Sequence, residues 1–279
     1  ILLLLCFPNR KRDNNILMQK LTIIKIGGNI IDDEVQLSSF LKAFAGIDGA
    51  KILVHGGGKL ATNMSTKLGI ETQMVDGRRI TDAETLKVVS MVYAGWVNKN
   101  ITAQLNALGA ASVGICGVDG GSIPAQKRPV VTVDYGFVGD VDASTINIPF
   151  FQLLLDGGYI PVVAPITADA AQLLNTNADT IASCLAIALS LYYSVALVYC
   201  FEKNGVLENV ENPDSVIEKL DEKTYHSLRK SGGIVKGMIP KLDNSFIALD
   251  NGVQEVTIGN SAHLEQLINH QSGTRIVLA

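Results

Sequence analysis

The chain has 279 residues, 47% of them apolar and 18% charged, with a formal net charge of −4 from 23 basic and 27 acidic side chains. That apolar share supports a sizeable core and excludes a disordered chain. The acidic balance argues against a nucleic-acid partner, which calls for a basic excess. Glycine is abundant at 26 residues and aromatics are scarce at 6%, a mix suited to an α/β fold with tight glycine turns over ligands.

The length fits about two domains or one large α/β domain. Cys6, Cys116, Cys184 and Cys200 form no Cys-x-x-Cys pair, and the last three sit in apolar runs. Buried reduced thiols in a reducing, cytoplasmic compartment are expected. His55, His226, His263 and His270 make no His-x-x-x-His pair, so no protein metal site is expected. No apolar run reaches the ~18 residues that span a bilayer, and no membrane partner is expected. Ile1 to Phe7 is apolar, but no basic segment precedes it and no small-residue cleavage site follows. Met18 reads as the natural start, with residues 1–17 a leader or a non-native segment. The competing reading is an N-terminal arm that packs on a partner subunit.

In chain order, Leu21 to Ile26 is a buried strand feeding the turn Gly27-Gly28. Glu34 to Phe44 has helical spacing. Lys51 to His55 is a second strand, closed by Gly56-Gly57-Gly58, and a helix from Lys59 to Leu68 follows. Thr81 or Asp82 caps a long helix through about Leu108. Ser112 to Cys116 is a strand, and Pro129 to Val133 with Phe137 to Val141 is expected as a hairpin outside the main sheet. Pro149 to Asp156 is a helix stopped by Gly157-Gly158, and Tyr159 to Ala164 is a buried strand. Asn177 or Asp179 starts an apolar helix through Ser190, and Val195 to Cys200 is a strand. Helices are expected over Ser215 to Lys230, Pro240 to Asp250 and Ala262 to Ile268. Strands are expected over Val253 to Ile258 and Arg275 to Leu278. Strands alternating with helices argue for an open, mostly parallel sheet sandwiched between helices. An internal boundary falls near Pro165 to Gln172. It gives an N-terminal lobe, 18–165, and a C-terminal lobe, 166–279.

Ligands of open parallel sheets bind at the carboxyl ends of the strands. Lys25 lies inside an apolar strand there, where it either snorkels to solvent or faces a ligand cleft. Gly56-Gly57-Gly58, between a strand and a helix, offers backbone N–H groups to an anion, although many such turns are glycine for steric reasons alone. Neither Gly-x-x-x-x-Gly-Lys-Ser/Thr nor Gly-x-Gly-x-x-Gly occurs, which removes the warrant for a Walker NTPase or a dinucleotide-dependent dehydrogenase. Arg78 or Arg79 either clamps a carboxylate or is a solvated loop charge. Asn175, Asn177 and Asp179 precede an apolar helix that needs one cap, so two of them lack a structural reason. Gly232-Gly233-Ile-Val-Lys236-Gly237-Met-Ile-Pro-Lys241 leads lysines into a helix start, which is unfavourable without an anion.

Ile24-Lys25-Ile-Gly27-Gly28, Val54-His-Gly56-Gly57-Gly58, Gly77-Arg-Arg79-Ile-Thr81, Asn175-Thr-Asn177-Ala-Asp179 and Gly237-Met-Ile-Pro-Lys241 occur in this order, with a closing Gly273-Thr-Arg-Ile-Val-Leu278. In these stretches the chain resembles the amino-acid kinase family, and within it the branch that acts on N-acylated glutamate, from about Leu21 to the end. The resemblance implies the αβα fold of carbamate kinase-like proteins. It also implies phosphorylation of the side-chain carboxylate of an N-acyl-L-glutamate by ATP with Mg²⁺, in the arginine pathway. By the same resemblance, Lys25 and Lys241 neutralise the phosphoryl group in flight and Asp179 holds them. Gly57 and Gly58 give N–H groups to the substrate, and Arg79 and Asn175 grip its α-carboxylate and acyl group, with Asn177 on the same side. Gly27, Gly28, Gly205, Gly233, Ile234 and Val235 line the nucleotide.

Relatives commonly carry Ser/Thr-Asp-Val after the strand on the nucleotide side. Here that place reads Cys200-Phe201-Glu202-Lys203-Asn204-Gly205-Val206, so Glu202 or Lys203 is a candidate for the missing contact. Carbamate-, uridylate-, aspartate- or glutamate 5-kinase-like members of the family, and a ligand sensor without turnover, are the rival readings. A homodimer without arginine feedback is expected, its interface on the helix from Asp82 to Leu108 through Val88, Val89, Val92 and Trp96.

Overall fold

A computed structural model describes residues 18–75, 77–209, 211–234 and 237–278; the expectations for residues 1–17 lie outside them. Strand β1 is Lys20–Ile26, followed by a short helix α1, Gly28–Ile31, and by α2, Glu34–Ala45. Asp33 caps α2 by accepting from the N–H groups of Val35 and Gln36, the oxygen-to-amide contact that starts a helix. Strand β2, Ala50–His55, leads into α3, Gly58–Lys67. A two-stranded ribbon of β3, Met74–Val75, and β4, Arg78–Arg79, follows.

The long helix begins at Ala83, capped by Asp82 through the Thr85 N–H. It runs as α4, Ala83–Ser90, a π-helical stretch Met91–Val97, and α5, Asn98–Ala107. Val88, Val89 and Val92 are buried in the chain's own core, which removes them from the expected interface. Trp96 is 69% exposed and Met91 58%. Strand β5, Ser112–Cys116, comes next.

The expected hairpin is present with a different first arm. Strand β6 is Ala125–Lys127 and pairs antiparallel with β7, Val138–Val141. Val130 and Val131, which carried the strand signal, are exposed. Helix α6, Ile148–Asp156, and strand β8, Ile160–Ala164, match expectation. Two further strands do not follow from the sequence: β9, Ile166–Asp169, and β10, Gln172–Thr176. They extend the small sheet to the order β6-β7-β10-β9, so β10 beyond the expected boundary pairs with β7 before it.

Helix α7 is Ala178–Leu189 and strand β11 is Ser194–Phe201. The expected helix over Ser215 to Lys230 is shorter. Residues 219–220 form β12, and α8 spans only Glu222–Ser231, capped by Asp221. The Ser215 hydroxyl donates to the Asn209 and Asn212 carbonyls, local bonding that competes with a helix. Helix α9 is Ile239–Asp250 and strand β13 is Glu255–Asn260. A 3-10 turn and α10, Leu264–Ile268, precede β14, Thr274–Ile276.

The main sheet has the order β12-β14-β13-β11-β1-β2-β8-β5. Its pairs are parallel except β13 with β14. Strands from before residue 165 lie on one side of the β11/β1 junction and strands from after residue 190 on the other. Side chains alternate across a strand. Leu21 and Ile23 of β1 join the core under α7 and α9, and Ile24 and Ile26 join the core under α2 and the long helix. The same alternation turns Lys25 toward α7 and α9. No helix among the described residues is long and apolar enough to cross a membrane.

Candidate active site

The sheet's connections diverge at β1: β2 is its neighbour on one side and β11 on the other. Such a switch point opens a crevice at the strand ends. The turn after β1 and the turn after β2 meet there. A Cβ built on Gly28 would lie 3.8 Å from the Gly58 nitrogen, and one on Gly56 3.9 Å from the Gly28 nitrogen. Gly57 adopts a φ of +152° and would set a Cβ 2.9 Å from the Tyr93 ring, so the turn accepts only glycine at that position.

Lys25, near the end of β1, points at the start of α7. Its Nζ lies 2.8 Å from Asp179 Oδ1, an ion pair off the alignment of a good hydrogen bond. Lys241, in the first turn of α9, donates to Asp179 Oδ2 at 2.5 Å. Burial alone would raise the Asp179 carboxyl, but the two ammonium groups overcome it and hold it well below the usual carboxylate range. Burial lowers the Lys25 ammonium against the pull of Asp179, and Lys241 adds to the lowering. One carboxylate between two ammonium groups leaves a surplus positive charge in a nearly water-free place. The cap of α7 is Asn177, whose Oδ1 accepts from the Asp179 and Thr180 N–H groups at 2.7 and 3.3 Å. Asp179 is therefore free of that duty, and the exposed Asn177 carries it.

A cavity of about 600 Å³ opens beside this bridge. It is lined by Lys25, Gly27, Gly28, Gly58, Gly205, Gly233, Ile234 and Lys241, and also by Asn29, Lys59, Lys203 and Met238. Six expected nucleotide residues thus include five that line one space. The sixth, Val235, lies outside the described residues. Lys59 was legible in principle: it follows Gly58 in a helix's first turn, the same signal that marked Lys241. Phe201 and Glu202 line the cavity too. The loop that carries them is fixed by Asn260, which donates to the Glu202 carbonyl, and by Thr274 Oγ1, which accepts from the Val206 N–H at 2.8 Å.

Arg79 is tied to the Gly58 turn that lines the cavity, and Asn175 precedes Asp179 by four residues. The buried Arg79 guanidinium donates to the Gly58 carbonyl at 2.8 Å, to Thr62 Oγ1 at 2.7 Å and to Thr72 Oγ1 at 3.1 Å. Among the described residues no carboxylate pairs with it; the paired arginines are Arg128 and Arg229. A buried guanidinium with only neutral partners is suited to an incoming anion. Asn175 Nδ2 donates to Thr81 Oγ1 at 3.0 Å. The Thr81 main chain is stitched to Tyr135 and Phe137, and Phe137 to Asn175. One network thus holds Arg79 and Asn175 on the same wall.

No group of three or more His, Cys, Asp or Glu side chains forms a cation site among the described residues. An open parallel sheet that gathers ion-paired lysines and glycine turns at one crevice, with an unpaired arginine held on the Gly58 turn, fits an α/β phosphotransferase. The chain belongs to the amino acid kinase family, whose sequence model matches residues 20–260. It is 54% identical over 264 residues to the acetylglutamate kinase of Cytophaga hutchinsonii, covering 93% of this chain and 99% of that one. The acetylglutamate kinase of Phocaeicola vulgatus is 52% identical over 259 residues, at 92% and 98% coverage. The fold is shared with N-acetylglutamate synthase from Neisseria gonorrhoeae, solved with coenzyme A and N-acetyl-glutamate. That likeness has a TM-score of 0.76 at 20% identity and covers 93% of this chain and 59% of that one.

Proposed function

We propose that this chain transfers the terminal phosphoryl group of ATP to the side-chain carboxylate of N-acetyl-L-glutamate, in arginine biosynthesis. The observation that carries the reading is the Lys25–Asp179–Lys241 bridge, whose two lysines line the cavity together with Gly58, the turn residue that Arg79 holds. The two curated relatives of the same name, matched over nearly the whole chain, support it.

A carboxylate is already an anionic nucleophile at pH 7, so the reaction needs no general base. Its oxygen attacks the terminal phosphorus, a C–O–P link forms, and the bond from phosphorus to the ADP oxygen breaks. Negative charge gathers on the transferring group, and catalysis is positioning and charge neutralisation. Lys25 and Lys241 supply that charge, and Asp179 keeps both in place. Gly57 and Gly58 donate N–H groups to the acceptor, Arg79 takes its α-carboxylate and Asn175 its acyl amide. Asn177 serves by fixing the start of α7. Gly27, Gly28, Gly205, Gly233, Ile234 and Val235 line the nucleotide, with Lys203 and Glu202 replacing the contact usual in relatives. ATP enters as its magnesium complex, since magnesium is bound through substrate phosphates more than by protein cages.

In this reading residues 18–165 supply most of the acceptor side and the dimer helix, joined by Asn175 on β10, and residues 166–279 most of the nucleotide side, joined by Gly27 and Gly28. The chain works as a homodimer through the exposed Met91 and Trp96 of the long helix. It is cytoplasmic, in keeping with the free thiols of Cys116, Cys184 and Cys200, which burial pushes up to about 11, 11 and 12. Trapping the acyl phosphate with hydroxylamine tests the reaction. Hydroxamate is expected with N-acetyl-L-glutamate and ATP together; its absence, or equal yield with free glutamate, would overturn the assignment.

A further inference from the structure

The long helix is not α-helical throughout, and its π-helical stretch Met91–Val97 faces the acceptor turn. In an α-helix, residues five apart diverge by about 140° around the axis. In a π turn they are hydrogen-bonded neighbours. The stretch therefore lets Tyr93, Val97 and Asn98 look the same way. A Cβ on Gly57 would lie 2.9 Å from the Tyr93 ring and 3.5 Å from Val97 Cγ2.

Asn98 is fully buried, as is His55 at the end of β2. Asn98 Nδ2 donates to His55 Nε2 at 3.1 Å and to the Val162 carbonyl at 2.9 Å, with Ile115 O at 3.3 Å. His55 Nδ1 lies 2.8 Å from the Gly56 carbonyl. A carbonyl accepts, so Nδ1 carries the hydrogen, and Nε2, facing an amide donor, is bare. The imidazole is neutral in this arrangement. Burial, with Lys25 and Lys99 nearby, lowers it to about 4.

The carbonyls of the turn are all taken. Gly56 O is held by His55, Gly57 O accepts from the Ala61 N–H at 3.0 Å, and Gly58 O accepts from Arg79 and Thr62. In a trans peptide the C=O and the following N–H point in opposite directions. Fixing Gly56 O behind the turn thus aims the Gly57 N–H out of it. The Gly57 and Gly58 N–H groups belong to the set a helix N-terminus leaves without intrahelical acceptors.

We propose that His55 and Asn98 are positioning residues for the phosphoryl acceptor. Neutral His55, held by Asn98, locks the Gly56–Gly57 peptide so that its N–H meets the acceptor, and the π-helical stretch sets Tyr93 against Gly57 and Asn98 against His55. This rests on the reading that Gly57 and Gly58 bind the N-acyl-glutamate.

Two substitutions separate positioning from plain packing. In His55→Asn the new amide sits where Nδ1 was and still reaches the Gly56 carbonyl, but it loses Asn98. In His55→Gln the amide reaches Asn98 and leaves the Gly56 carbonyl unheld. We expect His55→Gln to lose about tenfold or more in kcat/KM for N-acetyl-L-glutamate with ATP KM nearly unchanged, because a small misplacement of a positioning group costs up to about 10² in rate. His55→Asn should recover most of that loss even if it melts earlier, because Asn98 acts by fixing the imidazole's tautomer and an amide held on the Gly56 carbonyl has no tautomer to fix. Activity that follows melting temperature across the pair, or an equal loss toward ATP, would overturn the proposal. A nitrogen-15 spectrum of His55 in the wild-type chain decides independently of turnover. The Nδ1–H tautomer is expected, and an Nε2–H tautomer would overturn the proposal whatever the acceptor is. A wild-type chain that shows the Nδ1–H tautomer and makes no hydroxamate would instead overturn the proposed reaction.

Discussion

Replacing Asp179 by Asn removes one negative charge and almost no volume from between two lysines. The three side chains are 10%, 11% and 16% exposed for Lys25, Asp179 and Lys241, so water screens them poorly. Removing one partner of a buried ion pair costs about 3–5 kcal/mol, since the other charge stays behind. Here Lys25 and Lys241 also border the open cavity and relax into it, which places the cost near 3 kcal/mol, the lower end of that range. For a chain of this size that is a fall of about 6–12 °C in melting temperature. Capping contributes nothing to it, because Asn177 and not Asp179 accepts from the helix N–H groups. Asn177→Ala should therefore cost about 1 kcal/mol through the lost cap.

Turnover of Asp179→Asn should fall at least ~10-fold, about 1.4 kcal/mol of transition-state stabilisation, as the two ammonium groups lose their shared anchor. ATP binding should survive, because the variant presents more positive charge to the phosphates. ATP well above its Kd should accordingly raise the variant's melting temperature more than the wild type's, since a ligand at free concentration c stabilises by RT ln(1 + c/Kd) and so more where it binds more tightly. Melting curves with and without ATP, and kcat on the same preparation, check this. A variant that melts early, gains nothing from ATP and turns over normally would make Asp179 a structural charge and refute the catalytic assignment.

Lys241→Met should lower kcat on the order of 10² or more with modest change in either KM, as expected for a charge used most in the transition state; near-normal turnover would exclude the role. Arg79→Lys keeps the charge and loses the two-pronged geometry, so the acceptor KM should rise while ATP KM holds, and equal effects would assign Arg79 to the fold. His55 titrates near 4 in the folded chain and near 6.5 when exposed. The unfolded state thus binds the extra proton between those values, and stability should fall by up to about 3 kcal/mol as pH drops through that window; a pH series in denaturant, flattened by His55→Asn, checks the sign. Size-exclusion mass should give a dimer with or without arginine, and Trp96→Glu should yield a monomer; a hexamer would overturn that picture.

The parts of the site that sit at strand ends were legible because their signals are local. Lys25 stands out as a charge in an apolar strand, and Gly56 to Gly58 as a triple glycine between a strand and a helix. Elsewhere the local signal was outweighed. Val130 and Val131 read as strand, yet the arm that pairs is residues 125–127, because Thr81 binds the main chain of Tyr135 and Phe137 and sets the register of β7. The 215–230 segment has helical spacing, but pairing of Lys219 and Leu220 with β14 claims its first part. The π-helical stretch was invisible for a plainer reason. Over seven residues, apolar side chains satisfy either helical period, and only packing against Gly57 and His55 distinguishes them. Asn98 and His55 went unread as a pair because they are far apart in sequence and meet only when β2, β5 and β8 align.

The acceptor side and the donor side of the crevice are built from different chemistry, and the reaction explains why. Two unit negative charges about 4 Å apart repel by about 4 kcal/mol at an effective dielectric constant near 20. Main-chain amides cannot cancel that, because they are dipoles without net charge. They also cannot titrate, and in this turn they cannot swing, since His55, Ala61, Arg79 and Thr62 occupy the carbonyls behind them. Lysines carry the missing charge but are flexible, so they need Asp179 to define where they stand. Direction therefore comes from Gly57 and Gly58, and charge from Lys25 and Lys241. Neither group could stand in for the other, since a lysine in the turn would wander with the acceptor, and an amide at the bridge would leave two anions facing each other unscreened.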